Sequence, residues 1–274
     1  MELQGSRILL TGAGGGIGRS LALKLARKGA NLALAGRNEA RLQELAGEIR
    51  ANGGKAYPVV FDISRPEGQE EVVDEVVQNL GGIDILVNNA GVMSFSEFSS
   101  QNPEDMERLV KTNVTGPMLL TRAVLPHLLR QNSGKIVNVG STFGAIGFGH
   151  FSVYSATKFA MRGFSEALGR ELDHTRIGVT YVAPRATKTA LNTDTVVELN
   201  RKTGIAMDEP EDVAAAIIAA IEKDVRECYI GWPEKFFARL NGLFPRLVDN
   251  ALKKKQQDCK GIVETLTLIE EAAK

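Results

Sequence analysis

The sequence predicts an α/β protein built on a single doubly wound parallel sheet, with helices on both faces. Three observations carry this. Short apolar runs of strand length alternate with longer segments whose apolar residues recur every three or four positions. Glycines crowd the first junction between such a run and such a segment. No Pro-rich linker separates the strand–helix units, so they belong to one sheet.

Residues 7–11 (RILLT) form the first strand. Gly12, Gly14, Gly15, Gly16 and Gly18 follow, and then a helix carrying Ile17, Leu21, Leu23, Leu25 and Ala26. Glycines between a strand and a helix let the backbone approach a pyrophosphate, which the amides and dipole of the helix N-terminus attract. By itself such a turn is equally a tight connection; its βαβ setting points to a nucleotide. The second strand, residues 31–35, ends at Gly36-Arg37-Asn38, where a dinucleotide fold meets the adenosine ribose. An acidic residue there would favour NAD. This chain has Arg37, whose guanidinium suits a 2′-phosphate, so NADP is the preferred cofactor and NAD(H) the alternative. A solvated loop residue is the other reading of Arg37.

A helix over residues 39–51, with Leu42, Leu45 and Ile49 on one face, leads to a third strand at 56–61 closed by Asp62-Ile63. The Asp62 carboxylate either accepts from an adenine amino group or caps the next segment, since Ser64-Arg65-Pro66-Glu67 is a helix-start signal. The fourth strand, 83–87, runs into Asn88-Asn89-Ala90-Gly91. The asparagines bond backbone and fix the loop, and Ala90-Gly91 leaves room for a flat ligand. A fifth strand, KIVNVGS, ends at Ser141; the sixth spans 178–182, a helix comes next at 211–223, and a last short strand at 228–230.

Composition narrows the function. The chain has 274 residues, and Lys+Arg and Asp+Glu both total 33. That balance argues against nucleic acid as a partner. Cys228 and Cys259 lie far apart without metal-ligand spacing, so no metal is expected and both read as free thiols. With no basic-then-apolar leader and no apolar span of membrane length, the expectation is a cytoplasmic protein.

The chemistry centres on Tyr154 and Lys158, four residues apart on one helical face. A tyrosine ionises near pH ~10, and an ammonium beside it favours the phenolate and draws that value toward neutrality. Ser141, at the carboxyl end of its strand, can face Tyr154 across a cleft and hydrogen-bond a substrate oxygen. A Tyr-x-x-x-Lys spacing alone also describes a surface pair; its company decides.

TGAGGGIG at 11–18, NNAG at 88–91, Asn113 in KTNVTG, Ser141 in VGST and YSATK at 154–158 together resemble the short-chain dehydrogenase/reductase family over residues 3–230. The resemblance implies a Rossmann-type fold of about seven strands and reversible hydride transfer between NAD(P) and a carbonyl or alcohol. Tyr154 would be the general acid, Lys158 would lower its pKa and hold the nicotinamide ribose, and Ser141 would polarise the carbonyl. Asn113, at an expected helix kink, would hold a water linking Lys158 to solvent. Pro184 would rigidify the turn beside the nicotinamide, with Thr187 and Thr189 placed for its carboxamide and the phosphates. The family usually has Pro-Gly where this chain has Pro184-Arg185. Arg185 forbids easy positive φ and either sets a cation at the cleft mouth or points to solvent.

The resemblance makes residues 1–232 the catalytic domain, with a substrate lid at about 188–208, polar and with little apolar periodicity. Met93, Phe143, Ile146, Phe148 and Phe151 are expected to line a cleft that is apolar apart from His150, unless they are simply core. Residues 233–274 form a helical extension. Within 233–252, Phe236, Phe237, Leu240, Leu243, Phe244, Leu247 and Val248 make a stripe interrupted at Pro245, flanked by Lys235, Arg239, Arg246 and Lys253-Lys254-Lys255. Such a face suits peripheral contact with an anionic membrane; more often it packs on its own protein or on a second subunit. A homodimer or homotetramer is the family's habit. The expected activity is NADP-preferring reduction of a hydrophobic, lipid-like carbonyl. An NAD-linked sterol or sugar dehydrogenase and a non-catalytic NADP-sensing module are the alternatives.

Overall fold

The computed structural model describes residues 1–253 together with Gln257 and Gly261. Seven strands form one sheet: β1 (Arg7–Thr11), β2 (Asn31–Gly36), β3 (Lys55–Val60), β4 (Ile85–Asn88), β5 (Gly134–Val139), β6 (Ile177–Ala183) and β7 (Glu227–Tyr229). All pair in parallel, in the order β3-β2-β1-β4-β5-β6-β7. The order reverses between β1 and β4, so the connections leaving their carboxyl ends diverge to opposite faces and open a crevice. The limits of β1 are as expected, and those of the other strands differ from expectation by one or two residues.

The helices are α1 (Gly16–Arg27), α2 (Glu39–Ala51), α3 (Gln69–Leu80), α4 (Pro103–Val110), α5 (Gly116–Gln131), α6 (Ser152–Glu171), α7 (Asp194–Lys202), α8 (Pro210–Glu222) and α9 (Glu234–Leu243). Alternate strand residues serve the two layers. Ile8, Leu10, Leu32, Leu34, Ile85 and Val87 pack with α1, α2 and α8; Leu9, Ala33, Leu86 and Ile136 pack with α3, α5 and α6. Strands buried on both faces therefore read as continuous apolar runs.

Two segments depart from expectation, and a third takes one of the readings left open. Asp62 Oδ1 accepts from the Ser64 amide and hydroxyl at 3.0 and 2.7 Å. The chain thus turns at Ser64, and α3 begins only at Gln69, after Gly68 at φ 85°. Residues 188–208 contain α7, capped by Thr193 Oγ1 and burying Val196 and Leu199. Two inward positions make too short a stripe to stand out from its polar neighbours. The extension packs on its own chain: Asn241 Nδ2 donates to the Ala145 carbonyl at 2.9 Å, and Ala238 and Val248 are buried. After α9, Phe244 breaks the helix and residues 245–253 resume it. The stripe is divided by this packing, with Phe236, Leu243, Phe244 and Leu247 left exposed near the equally exposed Trp232. Lys254, Lys255, Cys259 and residues 262–274 of the expected helical extension fall outside the described residues.

Candidate active site

The glycine turn is shaped by contacts no side chain would tolerate. Gly12 and Gly16 hold φ of 66° and 52°, where a Cβ is disfavoured. A Cβ on Gly12 would lie 2.8 Å from Ala90 Cα, and one on Gly18 would collide with the Gly12 carbonyl. Thr11 Oγ1 accepts from the Asn89 and Ala90 amides, and Asn89 Nδ2 donates to the carbonyls of Thr11 and Gly12. The NNAG segment is thereby bolted to the turn, as its side-chain amides suggested. α1 starts without a side-chain cap and without an acidic residue in its first turn, leaving its amides and dipole for an anion. Thr189 Cγ2 would stand 3.0 Å from a Cβ on Gly16, so Thr189 closes over the same turn, while Gly14, Gly15, Ile17 and Gly18 complete it. These residues fit a dinucleotide.

Arg37 is exposed at the end of β2 and lies near Asp62. Burial pushes the Asp62 carboxyl up, but the Ser64 hydrogen bonds and the charges of Arg37 and Arg65 together hold it below its ordinary value. Of the two readings of Asp62, Oδ1 is committed to the local turn. Ile63 beside it is buried, its carbonyl against Gly116.

Between α4 and α5, residues Lys111–Thr115 form one π-helical turn, at the position where a kink was expected. Asn113 sits in it, buried. Its Oδ1 accepts from the Val92 amide, and its Nδ2 donates to the Val92 carbonyl, all at 2.8 Å, and to Thr157 Oγ1 at 3.1 Å. A Cβ on Gly91 would point between Asn113 Oδ1 and Lys158 Nζ, 3.4 and 3.6 Å away. Asn113, Gly91 and Lys158 therefore share one small space.

Tyr154 and Lys158 rise from α6, both buried. Lys158 Nζ donates to the Val139 carbonyl at 3.3 Å and lies 5.5 Å from the centroid of the Tyr154 ring. Here the expected electrostatics are corrected. Burial pushes the Tyr154 phenol up to about 12, with the Ser141 hydrogen bond only partly opposing it. Burial likewise lowers Lys158 to about 8. Phe143 and Phe151 meet Tyr154 edge-on, and in such apolar surroundings desolvation outweighs the attraction of the pair.

Ser141 accepts on Oγ from the Phe143 amide at 3.2 Å. Tyr181, which in the sequence looks like one more strand residue, holds it from beneath: the phenol donates to the Ser141 carbonyl at 3.0 Å and accepts from its amide at 3.3 Å. A Cβ on Gly140 or Gly144 would strike the Tyr181 ring or hydroxyl. Those hydrogen bonds and that close approach mark Tyr181 as important, and both are invisible in sequence.

A cavity of about 300 Å³ opens above these residues. Ser141, Tyr154 and Lys158 line it together with Ile17, Asn89, Gly91, Pro184, Thr187 and Thr189. Met93, Phe143, Ile146, Phe148 and Phe151 contribute its apolar side as expected. His150 is not in the lining; it sits at φ 63° with its ring 5.7 Å from that of Phe95. Val196 and Leu199 of α7, and Pro233, Phe237 and Leu252 of the extension, close the space. The extension's share was not foreseen. Arg185 is neither a free cation nor turned to solvent, for it is bound by Asp208 and Glu234. Among the described residues no acidic, His or Cys cluster could hold a metal ion.

A family model described as short chain dehydrogenase matches residues 6–199. The uncharacterized oxidoreductase YxnA of Bacillus subtilis is 36% identical over 259 residues, 92% of this chain and 73% of its own length. The ketoacyl reductase HetN of Nostoc sp. is 32% identical over 229 residues, 83% of this chain and 79% of its own. Among solved structures, a short chain dehydrogenase/reductase from Burkholderia phymatum in complex with NAD superposes with a TM-score of 0.82 at 25% identity, covering 90% of this chain and 96% of that one.

Proposed function

The chain belongs to the short-chain dehydrogenase/reductase family of NAD(P)-dependent oxidoreductases, and on that premise we propose that it is an NADP-preferring reductase of hydrophobic, lipid-like or acyl carbonyl compounds, able to run in reverse on the secondary alcohol. One observation carries the reading: Ser141 and the buried Tyr154 and Lys158 open into a cavity whose remaining wall is mainly aromatic and aliphatic. Such a wall recognises carbon chain and leaves orientation to a few polar groups. The ketoacyl reductase name of one relative agrees with it.

The Gly12–Gly18 turn, Asn89-Ala90-Gly91, Pro184, Thr187 and Thr189 would hold the dinucleotide, which would supply a hydride when bound. The chain's own residues do the rest. Ser141 Oγ hydrogen-bonds the carbonyl oxygen. The Tyr154 hydroxyl gives that oxygen its proton, and a phenol raised by burial keeps its proton until the oxygen becomes basic. Lys158 holds the nicotinamide ribose and, with a pKa near 8, can return a proton to Tyr154 at working pH. Asn113 fixes the Val92 backbone beside Lys158 and holds the water that relays protons outward. The lid and the extension exclude solvent.

Arg37 favours NADPH through the 2′-phosphate, although one structural relative is described with NAD. The exposed apolar residues of the extension, with Lys235, Arg239 and Arg246 beside them, suit peripheral contact with an anionic bilayer from the cytoplasmic side. The chain acts as a homodimer or homotetramer in this reading, which analytical ultracentrifugation measures.

The test is NADPH and NADH oxidation against ketones and 3-oxoacyl thioesters of graded chain length. Activity that rises with chain length and prefers NADPH is expected, and Arg37→Asp should reverse the cofactor preference. NADPH binding without turnover would favour a sensing module; NADH-linked turnover of sterols or sugars would replace the proposed substrate class.

A further inference from the structure

Arg185 follows Pro184 in the loop leaving β6, where the family pattern has glycine. Its Nε donates to both oxygens of Asp208 at 3.0 Å, and its Nη2 to Asp208 Oδ1 at 2.7 Å. Its Nη1 reaches Glu234 Oε2 at 3.3 Å and the Trp232 carbonyl at 3.4 Å. The three side chains are well covered, with Arg185 18% exposed, Asp208 16% and Glu234 25%. The chain fits tightly around the guanidinium: a Cβ on Gly231 would stand 2.8 Å from Arg185 Cδ.

Three segments far apart in sequence meet on this one side chain: the loop beside the reacting residues, the last residue of the lid, and the first residue of α9. Asp208 also pairs with the loop through its backbone, accepting from Lys188 N and donating to the Ala186 carbonyl, both at 2.9 Å. Beyond Glu234, the extension supplies Phe237 and Leu252 to the wall of the cavity that holds Tyr154. A guanidinium is suited to this task, since its planar fork binds two carboxylates in fixed directions. Removing it would leave two half-buried carboxylates facing each other.

We propose that Arg185 is a positioning residue that latches the C-terminal extension and the lid onto the loop beside the reacting residues, and so sets how much apolar chain the cleft can bury. The inference rests on the proposed reading of an apolar carbonyl substrate and deepens it. With the latch closed, each methylene buried against the extension is worth roughly a fourfold gain in kcat/KM. With the latch open, carbon beyond the reach of the aromatic side meets water and adds little.

The experiment compares the parent with Arg185→Gln, which removes both ion pairs, and Glu234→Gln, which removes only the ion pair to the extension and leaves the bond to the Trp232 carbonyl. A ladder of 2-alkanones with NADPH reads the chain-length dependence, and limited trypsin digestion after Lys235 and Arg239 reads undocking of α9. Both variants are expected to flatten the dependence, raising KM for dodecan-2-one roughly tenfold while kcat falls less than about threefold, and to speed cleavage roughly tenfold. Arg185→Lys, which keeps the cation, should recover part of each effect. A parent-like dependence and parent-like cleavage in both variants, even with a lowered Tm, would reduce Arg185 to a plain stabilising ion pair and overturn the proposal. If Arg185→Gln does not fold, Glu234→Gln decides alone, because it leaves the Arg185–Asp208 pair intact. If the parent binds NADPH but reduces no alkanone, the substrate reading has failed; trypsin cleavage of NADPH-bound Glu234→Gln then judges the latch separately, and an unchanged rate sinks it.

Discussion

Tyr154 and Lys158 share a face of α6, yet their protonation is governed by the aromatic wall around them more than by each other. In the proposed mechanism the Tyr154 proton is the one delivered, so Tyr154→Phe should abolish turnover while NADPH binding, followed by fluorescence titration, stays close to that of the parent. Full activity in that variant would refute the mechanism. Lys158 makes a prediction whose sign is set by its lowered pKa. Unfolded, it holds its proton up to about pH 10.4; folded, it releases it near 8. Between those values the unfolded state binds more protons, so stability rises with pH. Lys158→Met removes the buried charge and its titration. Its Tm should exceed the parent's by the largest margin below pH 8, and the margin should shrink as the pH rises above that. A margin independent of pH would show that Lys158 is not held at a lowered pKa.

At the scale of elements, apolar periodicity makes β1, β2, α1 and α2 legible, because each buries its own stripe against the sheet. α7 is different. Its docking depends on Val196 and Leu199 meeting Phe148, Phe151 and Tyr154, residues from another part of the chain. Leu199→Ala removes about 2–5 kcal/mol of packing, and a lid that opens locally should lose it without global unfolding. Faster tryptic cleavage at Arg201 and Lys202, with only a small shift in Tm, is the expected result; equal losses in both would mean that the lid unfolds only with the domain. The π-turn at Lys111–Thr115 shows the converse dependence. A mid-helix asparagine reads as an exposed residue, and the family pattern gave the reason to look there. In the fold, Asn113 is buried because its amide replaces backbone partners for Val92.

For the whole molecule, the extension has two sides with different work. Its inner side completes the cavity, so deleting it would confound substrate binding with any surface role. Replacing Leu243, Phe244 and Leu247 by Ser leaves that inner side in place, because all three are exposed. The triple variant should lose co-sedimentation with vesicles containing phosphatidylserine while keeping its activity toward a soluble ketone. Unchanged sedimentation would remove membrane contact from the proposed function, and a change in oligomer size instead would assign the patch to a second subunit. No helix among the described residues is long and apolar enough to cross a membrane.

The sequence by itself determined the features that neighbouring residues encode: apolar runs that become strands, glycines that let the turn after β1 reach Ala90, and a Tyr–Lys spacing that puts two side chains on one face. Local sterics and periodicity suffice for these. Only the tertiary structure decided how deeply Tyr154 and Lys158 are buried, what supports Ser141, and where Arg185 points. Each of these depends on groups distant in the chain, such as Tyr181 beneath Ser141 and Asp208 and Glu234 around Arg185. Desolvation and ion pairing arise from what packs around a group, and packing is a property of the folded chain.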